Sequence, residues 1–362
     1  MSTMETQIQD WNGESVIVRK DAPTGSWIFI AVHSSTLGAA TGGTRMRQYS
    51  DHTTALHDAL RLAEGMTRKF AVAGFPRGGG KAVISIPEEL SPDARTDLLL
   101  RYGGIIGQLG GYFYTGPDVG TTSEDMDLIA RHGAPYVHSC TPACGGAGSS
   151  GAATALGVFT GIQVMCKHLF GDDSLRQRRV LVQGAGSVGT ALIEHLRQAG
   201  ADVIVSEIDQ QVVRQLKTQP ELRFVPTEKA LETECDILAP CAMGGLFSAQ
   251  TIPNLRCRAI VGGANNQLAT TEDAIRLKQR GIAYAPDYVV NFGGAMAITG
   301  IEALGWTNDE ANRQVVRTVR TALSQVLSIA EESGVSTEAA AAQLAKQRLN
   351  KHDKEQAGVV TS

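Results

Sequence analysis

Hydrophobic positions in this chain switch repeatedly between two periods. Val16-Ile17-Val18 and Trp27-Ile28-Phe29-Ile30-Ala31-Val32 are apolar runs of strand length. By contrast, Ala55, Leu56, Ala59, Leu60, Leu62, Ala63 and Met66 recur at the spacing of one helix face. The run Ala82-Val83-Ile84-Ser85-Ile86 predicts a further strand. A Gly-, Pro- and Ser-rich stretch at 142–151 interrupts the pattern and predicts a hinge. Beyond it the spacing predicts a helix over 154–170, a strand over 178–183, a helix over 188–198 and a strand over 202–206. Strand-like runs at 236–240, 259–262 and 282–285 then alternate with helices, as a parallel doubly wound sheet requires. From Asn308 the pattern reads as two helices divided at Gly334.

A chain of 362 residues exceeds one comfortable core. The break near 143 predicts two α/β domains around a cleft. Residues 1–143, completed by a C-terminal helix at 332–350, form the first, and residues 144–331 form the second. Closure about the glycines at 145–151 would exclude water from the cleft.

Composition narrows the class. Hydrophobic content is 43%, and the net charge of −4 comes from 33 basic and 37 acidic residues, with no basic cluster interleaved with aromatics. Nucleic acid is therefore not an expected partner. No run approaches the ~20 apolar residues of a membrane helix, and residues 4–10 carry neither a basic nor an apolar leader pattern, so a soluble cytoplasmic protein is expected. The six cysteines are scattered. Only Cys140 and Cys144, beside His138, sit close together, and they read as reduced thiols in a loop with no metal.

Two motifs carry candidate chemistry. The first is Gly65-Met66-Thr67-Arg68-Lys69 followed by Arg77-Gly78-Gly79-Gly80-Lys81. Glycine lets a backbone and a small ligand come close, so Lys81 is a catalytic candidate, and both lysines are expected where elements end. The bland alternative is a surface lysine after a Gly-rich turn. The second is Gly184-Ala185-Gly186-Ser187-Val188-Gly189, a G-x-G-x-x-G that follows a strand, opens a helix and precedes a second strand ending at Glu207. This is a dinucleotide fingerprint. Gly184 permits the tight turn, Gly186 admits the pyrophosphate, Gly189 lets helix and strand pack, and Ser187 and Val188 open the helix whose N-terminus faces the phosphates. A carboxylate at Glu207 accepts both ribose hydroxyls and repels a 2′-phosphate, favouring NAD over NADP. Asp118, in Asp118-Val119-Gly120-Thr121-Thr122, reads equally as a turn cap or as an acid–base group.

With these segments together, the chain resembles the leucine, valine and phenylalanine branch of the Glu/Leu/Phe/Val amino-acid dehydrogenases over nearly its whole length, and phenylalanine dehydrogenase most. The resemblance rests on Gly42-Gly43-Thr44-Arg45-Met46, Gly65-Met66-Thr67 with Lys69, Gly78-Gly79-Gly80-Lys81, Asp118-Val119-Gly120-Thr121, Gly184 to Gly189, Pro240-Cys241-Ala242, Ala264-Asn265-Asn266-Gln267-Leu268, and 286–291 with Gly293-Gly294. It implies a homo-oligomer assembled through the first domain and a Rossmann second domain that binds NAD. It also implies reversible oxidative deamination of an L-amino acid to its 2-oxo acid and ammonia. By position, Lys69 corresponds to the holder of the substrate carboxylate with Gly42 backbone, Lys81 to the activator of water, and Asp118 to the carboxylate that handles protons of the amine. Asn266 and Asn291 correspond to amides near substrate and nicotinamide, Thr154 to a hydroxyl at the nicotinamide carboxamide, and Ala242 to a cofactor contact. The chemistry agrees: hydride leaves Cα only from a neutral amine, and a lysine near a second cation such as Lys69 loses its proton more readily.

Three departures from the aliphatic members bear on the substrate. Thr41, Gly116 and Ala295 each remove side-chain volume, which implies an aromatic amino acid, phenylalanine first and tryptophan or tyrosine next. Phe292, Pro117 and Arg47 also depart from the family pattern. The alternatives are a branched-chain enzyme of the same mechanism and, from another class, an NAD-binding paralogue without catalysis.

Overall fold

The computed structural model describes residues 3–219 and 221–360, with side chains through 352, and divides into two compact units. Unit 1 comprises Met1–Ser149, Ile301–Gly305 and Ala345–Ser362; unit 2 comprises Ser150–Gly300 and Trp306–Leu344.

Unit 1 holds α1 (Met4–Asp10), β1 (Ser15–Asp21), β2 (Ser26–Ser34), β3 (Ala40–Arg47), α2 (His52–Ala73), β4 (Gly78–Ser85), α3 (Pro92–Gln108), β5 (Phe113–Pro117) and α4 (Ser123–Gly133). Its five strands run in the order β1-β2-β4-β3-β5, with β3 parallel to both β4 and β5, and β2 antiparallel to β4. Side chains alternate across the sheet, so two cores form. Phe29, Ala31 and Val83 meet the Ala55, Leu56, Ala59, Leu60 and Ala63 stripe of α2 on one face. Ile28, Ile30, Ala82 and Ile84 meet Leu98, Tyr102, Met126 and Ile129 of α3 and α4 on the other. α2 starts at Asp51, whose carboxylate accepts from the Thr54 N–H at 2.8 Å, and stops at Gly74 with φ +63.

The triple glycine corrects an expectation. It is not a turn but the start of β4, and every residue of that strand is buried. A Cβ on Gly79 would stand 2.1 Å from the Thr67 backbone nitrogen in α2, and one on Gly80 would stand 2.8 Å from the Phe113 ring. These glycines let a helix and a ring close on the strand. Lys81 accordingly lies within β4 and Lys69 within α2, rather than at element ends.

Unit 2 holds α5 (Gly151–Phe170), β6 (Arg179–Gln183), α6 (Ser187–Gln198), β7 (Asp202–Ser206), α7 (Gln210–Leu216), β8 (Arg223–Phe224), β9 (Cys235–Pro240), β10 (Cys257–Ile260), α8 (Glu272–Gln279), β11 (Ala283–Tyr284) and α9 (Asp287–Val290). α10 (Gly293–Leu304), α11 (Asn308–Ser333) and α12 (Thr337–Val360) follow. Six parallel strands run β11-β10-β9-β6-β7-β8, a doubly wound sheet whose order reverses at β6.

The unit boundary falls after Ser149 rather than 143 because Glu302 holds the intervening segment in unit 1. Its carboxylate accepts from the Ser139 and Ala147 N–H groups at 3.0 and 2.7 Å and meets His138 Nδ1 at 3.0 Å. The C-terminal return begins at Ala345 rather than near 332, where Arg348 donates to the Val72 carbonyl of α2. Among the described residues no helix is long and apolar enough to cross a membrane, and no group of three or more His, Cys, Asp or Glu side chains is placed to hold a metal ion.

Candidate functional site

In unit 1 the register places the candidate residues on one sheet face. Thr41 pairs with Gly79 and Arg45 with Val83 between β3 and β4, and Gly43 pairs with Gly116 between β3 and β5. Counting by twos, Thr41, Gly43, Arg45, Gly79, Lys81 and Gly116 share the face that α2 covers. Asp118 follows β5 directly. Its backbone forms the expected turn: the Thr121 N–H donates to the Asp118 carbonyl at 3.0 Å, and Thr122, not Asp118, caps α4. The Asp118 carboxylate caps nothing. Its Oδ2 lies 3.0 Å from Lys81 Nζ and accepts from Arg45 Nε at 2.8 Å.

Burial sets the electrostatics. The Lys81 side chain is only 6% exposed, and loss of water holds its ammonium below the ordinary lysine range. Asp118 opposes that shift, and Arg45 reinforces it. A cation acting on Lys81 is thus Arg45, which the β3–β5 pairing delivers to the shared Asp118 carboxylate. Desolvation also opposes the Asp118 charge, but the adjacent Lys81 and Arg45 outweigh it and hold the carboxyl down at about 2.

The residues expected to shape the side-chain pocket differ in kind. Thr41 is buried, and its hydroxyl donates to the Ala39 carbonyl at 3.2 Å, leaving the oxygen able to accept. A Cβ on Gly42 would stand 1.8 Å from the Gly80 carbonyl oxygen, so the fold itself demands that glycine. A Cβ on Gly116 would meet only His138, at 3.6 Å, which is ordinary contact. Of the other departures, Arg47 lies over the Tyr49 ring at 4.6 Å, Pro117 ends β5, and Phe292 is fully buried core.

In unit 2, Gly184 has φ +90, and a Cβ there would strike Ala242; a Cβ on Gly189 would stand 1.9 Å from the Gly184 carbonyl oxygen. Gly186 borders open space, and α6 begins there with no side chain capping it, so the N-terminal N–H groups of Ser187, Val188 and Gly189 lack that competitor. Glu207 accepts from the N–H groups of Ala185, Ile208 and Asp209 at 2.5, 2.7 and 2.8 Å. Desolvation raises its pKa, but these bonds prevail and keep it ionised below the usual carboxylate range. The Thr154 hydroxyl donates to the Ser150 carbonyl at 2.9 Å in the first turn of α5. Asn291 Nδ2 donates to Asn265 Oδ1 and the Gly263 carbonyl, while its buried Oδ1 has no partner. Asn266 holds φ +53, and its N–H donates to Asp287 at 2.9 Å. Ala295 is half-buried in α10.

Two family models cover most of the chain. The Glu/Leu/Phe/Val dehydrogenase dimerisation domain matches residues 20–134, and the Glutamate/Leucine/Phenylalanine/Valine dehydrogenase domain matches 145–215 and 205–357. A valine dehydrogenase of Streptomyces albus is 41% identical, covering 93% of this chain and 92% of its own. A leucine dehydrogenase of Geobacillus stearothermophilus is 38% identical, covering 94% and 92%. The crystal structure of L-tryptophan dehydrogenase from Nostoc punctiforme superposes with a TM-score of 0.82 at 35% identity, covering 96% of this chain and 99% of its own. The chain belongs to the Glu/Leu/Phe/Val dehydrogenase family.

As a member of that family it is an amino-acid dehydrogenase, and its cofactor is NAD. Unit 2 fits the dinucleotide: the uncapped start of α6, the open approach at Gly186 and the ionised Glu207 at the end of β7 supply what a pyrophosphate and a ribose diol need. The structure brings Lys81, Asp118, Thr41, Gly42 and Gly116 together in unit 1, with Lys69 on the helix above; Thr154, Ala242, Asn266, Asn291 and Ala295 belong to unit 2 with the glycine loop. Sequence reasoning missed Arg45 and its second partner Asp58, 2.9 Å away, and missed Glu302 as the clamp on 138–147. Arg45 stood within a quoted motif, two residues from Gly43, but only the strand register shows that it shares the Lys81 face.

Proposed function

We propose that this dehydrogenase catalyses the NAD-dependent, reversible oxidative deamination of an aromatic L-amino acid, L-phenylalanine foremost, with Lys81 and Asp118 as its catalytic residues. Lys69 and Gly42 backbone hold the substrate carboxylate. Asp118, already ionised, accepts a proton from the substrate ammonium and frees the amine lone pair. Bound NAD supplies the hydride acceptor for Cα. Lys81, held below the ordinary lysine range, is neutral often enough to take a proton from the water that adds to the imine carbon, and ammonia then leaves. The side-chain amides of Asn266 and Asn291 serve the substrate and the nicotinamide, the Thr154 hydroxyl serves the nicotinamide carboxamide, and Glu207 selects NAD. Self-association through the first unit follows from its match to a dimerisation domain.

The observation that carries the aromatic reading is Gly116. Packing requires glycine at 42 and 79 but not at 116, where a methyl group would make only ordinary contact. In this reading its absence serves volume, as Thr41 does on the same sheet face. Replacing Gly116 by Ala tests this: the ratio of kcat/KM for phenylalanine over leucine is expected to fall roughly tenfold or more. An unchanged ratio removes Gly116 from the pocket. The identity to valine and leucine dehydrogenases supports a branched-chain substrate as the second reading.

A further inference from the structure

Arg45 is not a surface cation. Its side chain is 14% exposed, and its planar fork spans two carboxylates, with Nε on Asp118 Oδ2 at 2.8 Å and Nη1 on Asp58 Oδ2 at 2.9 Å. Asp58 is itself fixed, accepting from Tyr49 Oη and from Arg61 Nη2, each at 2.8 Å. Lys81 Nζ reaches the same Asp118 oxygen that Arg45 holds. A rigid guanidinium can span two carboxylates in this way; a lysine ammonium, a point charge on a flexible stem, cannot.

We propose that Arg45 is a positioning residue of this dehydrogenase, acting through Asp118: it fixes the plane of that carboxylate so that Oδ1 is the oxygen presented to the substrate amine. The proposal rests on the catalytic roles given above to Lys81 and Asp118. Two cations meet Oδ2, so a proton arriving there meets two positive charges, whereas Oδ1 keeps the basic lone pair. The buried set is also charge-balanced: Lys81 and Arg45 face Asp118 and Asp58, with Arg61 at the rim. Removing Arg45 leaves excess negative charge around Lys81, which strengthens its hold on a proton. The rising limb of activity with pH then moves to higher pH. Asp118 moves upward as well.

The test uses the full-length enzyme with the L-amino acid it turns over fastest and compares Arg45→Met, Arg45→Lys and Lys81→Ala. Arg45→Met is expected to lower kcat roughly tenfold or more and to move the rising limb upward. Arg45→Lys keeps the charge without the bridge, so it is expected to restore the limb while kcat stays low. Dissociation constants for NAD, measured by NADH fluorescence and competition, serve as the fold control and stay at the wild-type value. If Arg45→Met does not fold, Asp58→Asn loosens the same fork: kcat falls by less, and because a negative charge is lost while Arg45 remains, the rising limb moves to lower pH. A wild-type kcat and pH profile in the folded Arg45 or Asp58 variants, with Lys81→Ala inactive, overturns the positioning role alone. Full turnover by Lys81→Ala overturns the catalytic assignment beneath it.

Discussion

A lysine removed from water prefers to be neutral, and a carboxylate beside it argues the other way; at Lys81 the loss of water prevails. Because its charged form is disfavoured, the limb of kcat/KM that rises with pH is expected below the ~10.4 of a free lysine. A limb at that value would remove Lys81 as the base. Lys81→Ala is expected to lower kcat by roughly two orders of magnitude or more while leaving NAD affinity unchanged, which also separates an enzyme from a silent NAD-binding paralogue. Lys81 and Asp118 were legible as candidates because each sits in a local motif. Their mutual contact, and Arg45 between Asp118 and Asp58, were not. Asp118 and Arg45 are 73 positions apart, and only the β3–β5 pairing brings them together.

At the scale of the element, glycine has two different meanings in this chain. In β4 it admits α2, so Gly79→Ala drives a methyl group into the Thr67 backbone and is expected to cost about 1–3 kcal/mol, read as a lowered Tm. Gly116→Ala, with its nearest neighbour at 3.6 Å, is expected to leave Tm nearly unchanged. Equal losses would contradict the distinction drawn between them. The sequence suggested a ligand-facing role for the triple glycine because glycine spacing alone does not record how closely α2 folds back on β4 or that the Phe113 ring closes on Gly80. The Gly184–Glu207 segment is the opposite case: the strand, turn, helix and strand that build a phosphate site are consecutive, so their spacing is written locally. At the end of β7, Glu207→Ser removes the carboxylate that accepts three N–H groups and would repel a 2′-phosphate. The ratio of kcat/KM for NADP over NAD is expected to rise; a ratio that stays fixed would place cofactor choice elsewhere.

Across the whole molecule, the division into two α/β units was legible from the switch in pattern near 142–151, but its edge was not. Glu302, from the end of α10, extends unit 1 to Ser149, and a contact between residues 163 positions apart has no signature in composition. The same limit applies to the substrate. Family membership follows from motifs strung along both units, whereas the proposed choice of amino acid rests on the space left beside Gly116. The most direct test is therefore the initial rate of NADH formation by the wild-type enzyme with NAD and L-phenylalanine, L-tryptophan, L-leucine and L-valine side by side. Phenylalanine or tryptophan is expected well ahead of both aliphatic substrates; leucine or valine ahead of them would contradict the enlarged pocket and make this a branched-chain dehydrogenase.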